Sequence, residues 1–287
     1  KAKVMGLNAA AGGESGDGIL QRAIQFAVEH EADILSMSIG FYDDFYPGPN
    51  RKVMRNIMMN TLSAGSIASV AAGNEGERKM AYPIPHNIGY PGDCPPPWRS
   101  PYQTAPGGLS AVFTSGALDV DGVTINDFSS EGPVTWEDID GFNDYPFSNN
   151  TGLIKPDIAS PGTDVLSLSH KDNAGYLTMS GTSMATPTTA GAMALLVSKN
   201  PSITPEQIAQ YIEESAIKVG DKKDNRYGAG RLDIYAASLR LTDSRPPNKP
   251  YNIYPADESV EITLNSSLKW QKNLKTDDFT LYLGTDN

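Results

Sequence analysis

The first part of the chain alternates between two hydrophobic periods. Apolar side chains recur every three or four positions in residues 19–29 and 51–64, which predicts two amphipathic helices. Short apolar runs predict buried strands at 4–7, 34–39, 67–72 and 110–116. Strands and helices that alternate with short links form a parallel sheet covered by helices on both faces. We therefore predict a doubly wound α/β fold, in which sites lie at the carboxyl ends of the strands.

The next part of the chain is predicted to be mostly helical. After a strand at 165–169, residues 183–199 are small and apolar on most sides, which predicts a centrally buried helix. Thr204 and Gln207 form a capping box around Pro205, which predicts a helix that runs to about Ile217. One more helix is predicted after Asp233. This domain is predicted to occupy residues 1–242.

The pattern changes after Thr242. Residues 243–250 are rich in proline and predict a linker. In residues 251–287, apolar side chains alternate with polar ones, as in Val260, Ile262 and Leu264. This short all-β extension resembles the opening of a fibronectin III or immunoglobulin-like module. Such a sandwich needs about 100 residues, so we expect the module to be truncated.

Composition excludes several classes of protein. A hydrophobic content of 39% and a charged content of 20% are typical of a globular protein. The net charge of −11 argues against a nucleic-acid partner, because phosphate requires basic patches. No apolar run approaches the length of a membrane span. Cys94 is the single cysteine, so the chain has no internal disulfide. Separately, we expect the protein to be a monomer.

Ser183 is the first candidate catalytic residue. It lies in Gly181–Pro187, where a loop becomes the predicted small-residue helix. The free N–H groups of a first helical turn favour an oxyanion, so a nucleophilic serine at this position is well placed. Serine is also a favoured helix cap, and the heptapeptide alone leaves both interpretations open.

Asn74 is the second candidate. It follows a buried strand, and its side-chain N–H₂ could be aimed at a developing oxyanion. Four blocks then occur in a fixed order: Asp33–Gly40, Ala71–Asn74, Lys155–Gly162 and Gly181–Pro187. Together they resemble the subtilisin-like serine proteases, the peptidase S8 or subtilase family. That context favours Ser183 as a nucleophile over Ser183 as a cap.

The resemblance implies a fold, an activity and a site. It implies a three-layer subtilisin-like domain with a mostly parallel sheet, which hydrolyses peptide bonds with Ser183 as nucleophile and Asn74 in the oxyanion hole. It implies that substrate is held by strand ends that include Ser38, Ile39, Gly40, Ala72 and Gly73. The small size of the last two predicts a roomy apolar pocket. The resemblance also implies secretion and protein or peptide substrates.

The chain departs from the family pattern in one respect. The aspartate and histidine motifs of the triad are absent, and none of His30, His86 and His170 has the required context. We expect both residues upstream of Lys1, with the N-terminal part of the fold missing and this segment inactive alone. The alternative is a non-catalytic subtilisin-like scaffold that serves as a binding or structural module.

The sequence identifies no cofactor and no metal ligand. Many members of the family bind calcium, so the resemblance leaves calcium open. Asp119 and Asp121 have the spacing of two ligands, but the rest of an EF-hand pattern is absent.

Overall fold

The computed structural model describes residues 2–9, 17–42, 50–148, 151–172 and 174–241, and the backbone of 252–254 and 269–270. Its helices are α1 (Asp17–Glu29), α2 (Arg51–Ser63), α3 (Thr182–Lys199), α4 (Pro205–Ser215) and α5 (Ile234–Arg240). Its strands are β1 (Ile34–Met37), β2 (Ile67–Ala71), β3 (Val112–Leu118), β4 (Ile158–Pro161), β5 (Val165–Leu168), β6 (Tyr176–Met179), β7 (Asn252–Tyr254) and β8 (Lys269–Trp270).

A parallel sheet forms the middle layer. Its strands lie in the order β1-β2-β3-β4, and all neighbours run parallel. In register, Ile34 lies beside Ile67, and Ser69 lies beside Phe113. The carboxyl ends of these strands therefore meet at one edge of the sheet, as predicted. Within the described residues β1 is an outer strand, so one side of its backbone has no neighbouring strand.

Helices cover both faces of the sheet, because successive strand residues point to opposite sides. One face packs on α1 and α2 in a core that includes Leu20, Ile24, Leu35, Met37, Met54, Met58, Val70 and Val112. The other face packs on α3, α4 and α5 in a core that includes Ile67, Phe113, Ile158, Met193, Leu196, Ile208, Ile212 and Ala237. The predicted three-layer arrangement is confirmed.

Buried hydroxyl groups fasten α3 to three adjacent strands. Ser69 Oγ donates to the carbonyl of Thr186 at 2.9 Å, and Ser115 Oγ donates to Thr189 Oγ1, also at 2.9 Å. Ser160 Oγ and Thr189 Oγ1 are 2.7 Å apart. Buried polar groups are costly unless they are paired, so these contacts fix the position of α3 along the sheet. Ser69, Ser115 and Ser160 were not singled out in the sequence.

A buried ionic cluster holds the segment before β4. Asp157 Oδ2 lies 2.6 Å from Lys155 Nζ, and Asp157 Oδ1 lies 3.0 Å from Lys223 Nζ, which also lies 2.7 Å from Glu213 Oε1. The N–H of Thr114 donates to Asp157 Oδ2 at 2.8 Å. Burial alone would raise the pKa of Asp157, but the two ammonium groups and the Thr114 N–H together lower it below its ordinary value. For Glu213 burial outweighs Lys223 and raises the pKa.

The proline-rich segment 80–108 is irregular but ordered, and residues 87–98 are buried. Two arginines of α2 hold this segment and the loop between β3 and β4. Arg51 Nε lies 2.6 Å from Asp93 Oδ2, and Arg55 forms a bidentate pair with Asp144. The guanidinium carbons of Arg51 and Arg55 lie 4.1 and 4.6 Å from the centre of the Trp136 ring. Charge pairing and cation–π stacking thus replace regular secondary structure in this part of the chain.

Two predictions about buried residues are wrong. Residues 4–7 form no strand, and Val4 is 95% exposed, because no described strand pairs with them. Along α3, Pro187, Gly191 and Leu195 are exposed, although the composition of this helix predicted burial on most sides. The described elements cover only the sides of α3 that face the sheet and α5. Composition does not indicate how many neighbours a helix has.

Local sequence signals predicted the bounds of several other elements to within a few residues. The helices α1 and α2 match their predicted spans within two residues. The predicted inward face of α2 included Val53, but its side chain is exposed. The capping box of α4 forms both of its hydrogen bonds. The strands β4 and β6 were missed, because each has only four residues and no clear alternation.

Little of the C-terminal region lies within the described residues. There β7 and β8 pair antiparallel, and the predicted linker lies outside the described part. The truncated β-sandwich therefore stays a prediction. No helix in the described ranges is long and apolar enough to cross a bilayer.

The ionic cluster gives a prediction about stability. Lys223→Met should lower the free energy of unfolding by about 3–5 kcal/mol, because Asp157 and Glu213 would stay buried without their shared cation. Urea unfolding of the complete protein, followed by the fluorescence of its buried tryptophans, measures this loss. The control is Lys222→Met, which changes an exposed lysine at the next position. Equal midpoints for the two variants would show that the cluster does not contribute as described.

Candidate active site

The predicted site residues converge at the carboxyl edge of the sheet. Ser38 follows β1, Asn74 lies three residues beyond β2, and Ser183 lies at the start of α3. Ser38 Oγ donates to the carbonyl of Ser183 at 2.8 Å, although the two residues are 145 positions apart. This hydrogen bond joins the end of the outer strand to the first turn of the helix.

Ser183 is the second residue of α3 and is not its cap. The N-cap is Gly181, whose φ of 149° few residues other than glycine adopt, and it makes no side-chain capping bond. Ser183 is partly buried, and within the described residues its hydroxyl has no hydrogen-bond partner. The capping interpretation is therefore wrong, and the hydroxyl is free beside the positive end of an 18-residue helix.

Thr182 fixes the side chain of Asn74. The backbone N–H and the hydroxyl of Thr182 both donate to Asn74 Oδ1, at 2.9 and 3.0 Å. The N–H of Gly73 donates to Thr182 Oγ1 at 3.2 Å. Because both Thr182 donors occupy the amide oxygen, the N–H groups of Asn74 Nδ2 remain as the donors of this side chain. Thr182 was missed as a site residue, although it immediately precedes Ser183 in the motif.

Two N–H donors border the space beside Gly181. A Cβ atom placed on Gly181 would lie 3.4 Å from Asn74 Nδ2 and 3.7 Å from Ser183 N. A side chain at this position would therefore crowd both nitrogen atoms, and Asn74 Oδ1 at 3.6 Å as well. Glycine keeps that space open.

The predicted substrate-binding residues lie beside these donors. Ser38 and Gly40 are exposed along the outer edge of the sheet, and Ile39 is partly buried against the core of α1 and α2. Ala72 is buried, and Gly73 is partly buried. The space expected to be open beside Gly73 contains the hydroxyl of a tyrosine, Tyr42.

The histidines lie where the sequence predicted them. His30 follows α1, stacks on Phe26 with ring centroids 3.8 Å apart, and leads into the amino end of β1. That end is opposite to Ser183. His86 and His170 are exposed in loops. Within the described residues, no histidine or carboxylate forms a hydrogen bond with the Ser183 hydroxyl.

The acidic loop after β3 forms hydrogen bonds within itself, between a carboxylate and neighbouring residues of the same loop. Asp121 Oδ1 accepts from the N–H groups of Val123 and Thr124, and Asp121 Oδ2 accepts from the Thr124 hydroxyl. The hydrogen bond from the Thr124 hydroxyl, together with those from the two N–H groups, lowers the pKa of Asp121 below its ordinary value. In the described part of the chain, no three His, Cys, Asp or Glu side chains are grouped as metal ligands. Calcium binding stays open, as the family resemblance left it.

Comparison with known proteins agrees with this arrangement. The model of Peptidase_S8, the subtilase family, matches residues 1–230. Serine protease AprX of Bacillus subtilis (strain 168) is 32% identical over 219 residues, which are 70% of this chain and 41% of AprX. The halolysin-like extracellular serine protease Nep of Natrialba magadii is 26% identical over 294 residues, covering 98% of this chain and 44% of Nep. The chain spans less than half the length of either relative.

Solved structures show the same fold. The patellamide maturation protease PatA superposes with a TM-score of 0.54 at 26% identity, covering 79% of this chain and 69% of that one. The prenylagaramide maturation protease PagA gives 0.55 at 24% identity, over 78% of this chain and 68% of that one, and supports the fold alone. Because the family match covers most of the sequence, the chain belongs to the subtilase family. The resemblance and the fold inferred from the four motif blocks are confirmed.

Proposed function

We propose that the complete protein is a serine endopeptidase in which Ser183 is the nucleophile and Asn74 stabilises the oxyanion. One observation carries the proposal. Thr182 occupies the amide oxygen of Asn74, and Asn74 Nδ2 and the Ser183 nitrogen both border the space beside Gly181, two residues before Ser183. A free nucleophile and two donors next to one open space are what acyl transfer requires.

The reaction follows from these positions. The Ser183 oxygen attacks the carbonyl carbon of a peptide bond, and the π electrons of that carbonyl move onto its oxygen. The resulting oxyanion accepts hydrogen bonds from Asn74 Nδ2 and the Ser183 N–H, which the positive end of α3 strengthens. The proton of Ser183 requires an adjacent base. We propose a histidine held by an aspartate, both outside this chain, as the family resemblance implies.

Substrate binding would use the segment that follows β1. The backbone of residues 38–40 lies just beyond the carboxyl end of that strand, where an extended peptide can pair by main-chain hydrogen bonds. Such pairing holds many sequences and leaves the choice among them to side-chain pockets. We also infer that the protein acts outside the cell on proteins or peptides, since Nep is named as an extracellular protease.

The first prediction concerns the nucleophile. A fluorophosphonate should label the complete protein at Ser183, because this reagent reacts with an activated serine hydroxyl. Mass spectrometry of the labelled peptides identifies the modified residue. Ser183→Ala should abolish labelling, whereas Ser198→Ala, an exposed position on the same helix, should not change it. Labelling at a different serine would refute the assignment, and no labelling at all would favour a non-catalytic scaffold.

The second prediction concerns the oxyanion. In the complete protein, Asn74→Leu should lower kcat by about 10²–10³, the range established for removing the oxyanion-hole asparagine from a subtilisin. KM should change little, since the full hydrogen bond forms only in the transition state. Steady-state kinetics on a peptide nitroanilide measures both constants. The exposed Asn60→Leu should leave kcat unchanged, and an equal kcat in the Asn74 variant would exclude this role.

The third prediction concerns the isolated chain. Residues 1–287 should not hydrolyse casein at a rate that depends on Ser183, because the described histidines do not contact its hydroxyl. At most, the donors and the binding edge would retain about 10³–10⁴-fold over water, as in protease triads stripped of a member. The assay compares the chain with its Ser183→Ala variant, after urea unfolding has shown that both are folded. Efficient cleavage that disappears with Ser183→Ala would show that a base lies within these residues.

A further inference from the structure

The ring of Tyr42 occupies the space between two glycines at the active site. A Cβ atom placed on Gly73 would lie 2.3 Å from the Tyr42 hydroxyl oxygen and 2.9 Å from Ser130 Oγ. A Cβ atom placed on Gly89 would lie 3.0 Å from Tyr42 Cζ and 3.2 Å from Cε2. The Tyr42 hydroxyl therefore lies where a side chain of residue 73 would begin, and the edge of its ring lies where a side chain of residue 89 would begin.

The ring is held in place by its neighbours. Phe41 and Tyr90 exchange two backbone hydrogen bonds of 2.9 and 3.0 Å, which fix the chain immediately before Tyr42. The Tyr42 ring packs against Tyr82, with centroids 4.7 Å apart and the planes tilted by 59°. Tyr82 is itself only 3% exposed. The Tyr42 side chain thus lies on a rigid surface.

Packing holds the ring of this side chain. The Tyr42 hydroxyl is buried beside Ser130 Oγ, without a hydrogen bond of standard geometry within the described residues. Ser130 Oγ accepts from the N–H of Glu75 at 3.0 Å, and its own hydroxyl proton remains available to Tyr42. Burial raises the pKa of Tyr42 well above its ordinary value, so the phenol stays neutral. A phenylalanine at position 42 should therefore keep the ring where it is.

The occupied space adjoins the reaction centre. Gly73 immediately precedes Asn74, and its N–H donates to Thr182 Oγ1, one residue before Ser183. The peptide carbonyl that Ser183 attacks must lie between Ser183 and Asn74 Nδ2. The side chain of the residue that supplies this carbonyl begins only two bonds from the reacting carbon. That side chain then reaches the region beside Gly73, which holds the Tyr42 hydroxyl.

We propose that Tyr42 closes the acyl-side specificity pocket and restricts cleavage to bonds that follow a small residue: glycine, alanine or serine. The inference rests on the proposed function and adds a substrate class to it. The two glycines and Ser130 would leave a deep pocket if position 42 were small. The ring fills that pocket, so an aromatic or long aliphatic side chain before the scissile bond meets the ring.

The test uses the complete protein and two peptide nitroanilides that differ only in the residue before the nitroanilide, alanine or phenylalanine. The wild type should favour alanine in kcat/KM by about tenfold or more. Tyr42→Ala should reverse this preference, because it opens the pocket between Gly73 and Gly89. Tyr42→Phe keeps the ring and should keep the preference for alanine.

The wild type alone already decides the question if Tyr42→Ala does not fold. Mass spectrometry of a denatured protein mixture digested by the wild type should show small residues before the cleaved bonds. A wild-type preference for phenylalanine, tyrosine or leucine at that position overturns the inference, as does an unchanged preference in a folded Tyr42→Ala variant. Fluorophosphonate labelling of the same samples separates the two proposals. An unlabelled wild type that cleaves neither peptide refutes the proposed function. A labelled wild type that prefers a large residue before the cleaved bond refutes only the role of Tyr42.

Discussion

The position of Ser183 depends on how the first turns of α3 are fastened to the strands of the parallel sheet. Hydroxyl groups of Ser69, Ser115 and Ser160 reach α3 from three adjacent strands, and all three side chains are buried. In a low-dielectric interior, a misplaced helix would leave these groups unpaired at high cost. The same constraint therefore fixes the height of Ser183 above the sheet and its distance from Asn74.

The charged residues have a complementary role. The pairs around Asp157 and Arg55 bind irregular segments to the sheet and to α2, where no regular backbone ladder is available. Each buried charge has its partner within 3.0 Å, so the cost of desolvation is offset only in one arrangement. These clusters thus hold the irregular segments before β4 and around Asp144 in place.

Two glycines of the site have backbone conformations that residues with side chains rarely adopt. Gly181 adopts a backbone conformation that L side chains rarely adopt, and a side chain there would crowd two N–H donors. Gly73, with a φ of 111°, is constrained in the same way and is pressed against Tyr42. Gly73 directly precedes Asn74 and Gly181 lies two residues before Ser183, so both site residues follow a backbone conformation that glycine adopts readily and other residues do not.

The sequence by itself determined the elements and the order of the blocks. Period and capping signals located α1, α2 and α4, and the start of the small-residue helix located Ser183, because these signals act over a few neighbouring residues. Only the tertiary structure decided that Ser183 is not a cap, that Thr182 orients Asn74, and that Tyr42 fills the space beside Gly73. Thr182 and Asn74 are 108 positions apart, and no local pattern encodes a contact over that separation. Residues 4–7 fail for the same reason, since an apolar run becomes a strand only where a neighbouring strand pairs with it.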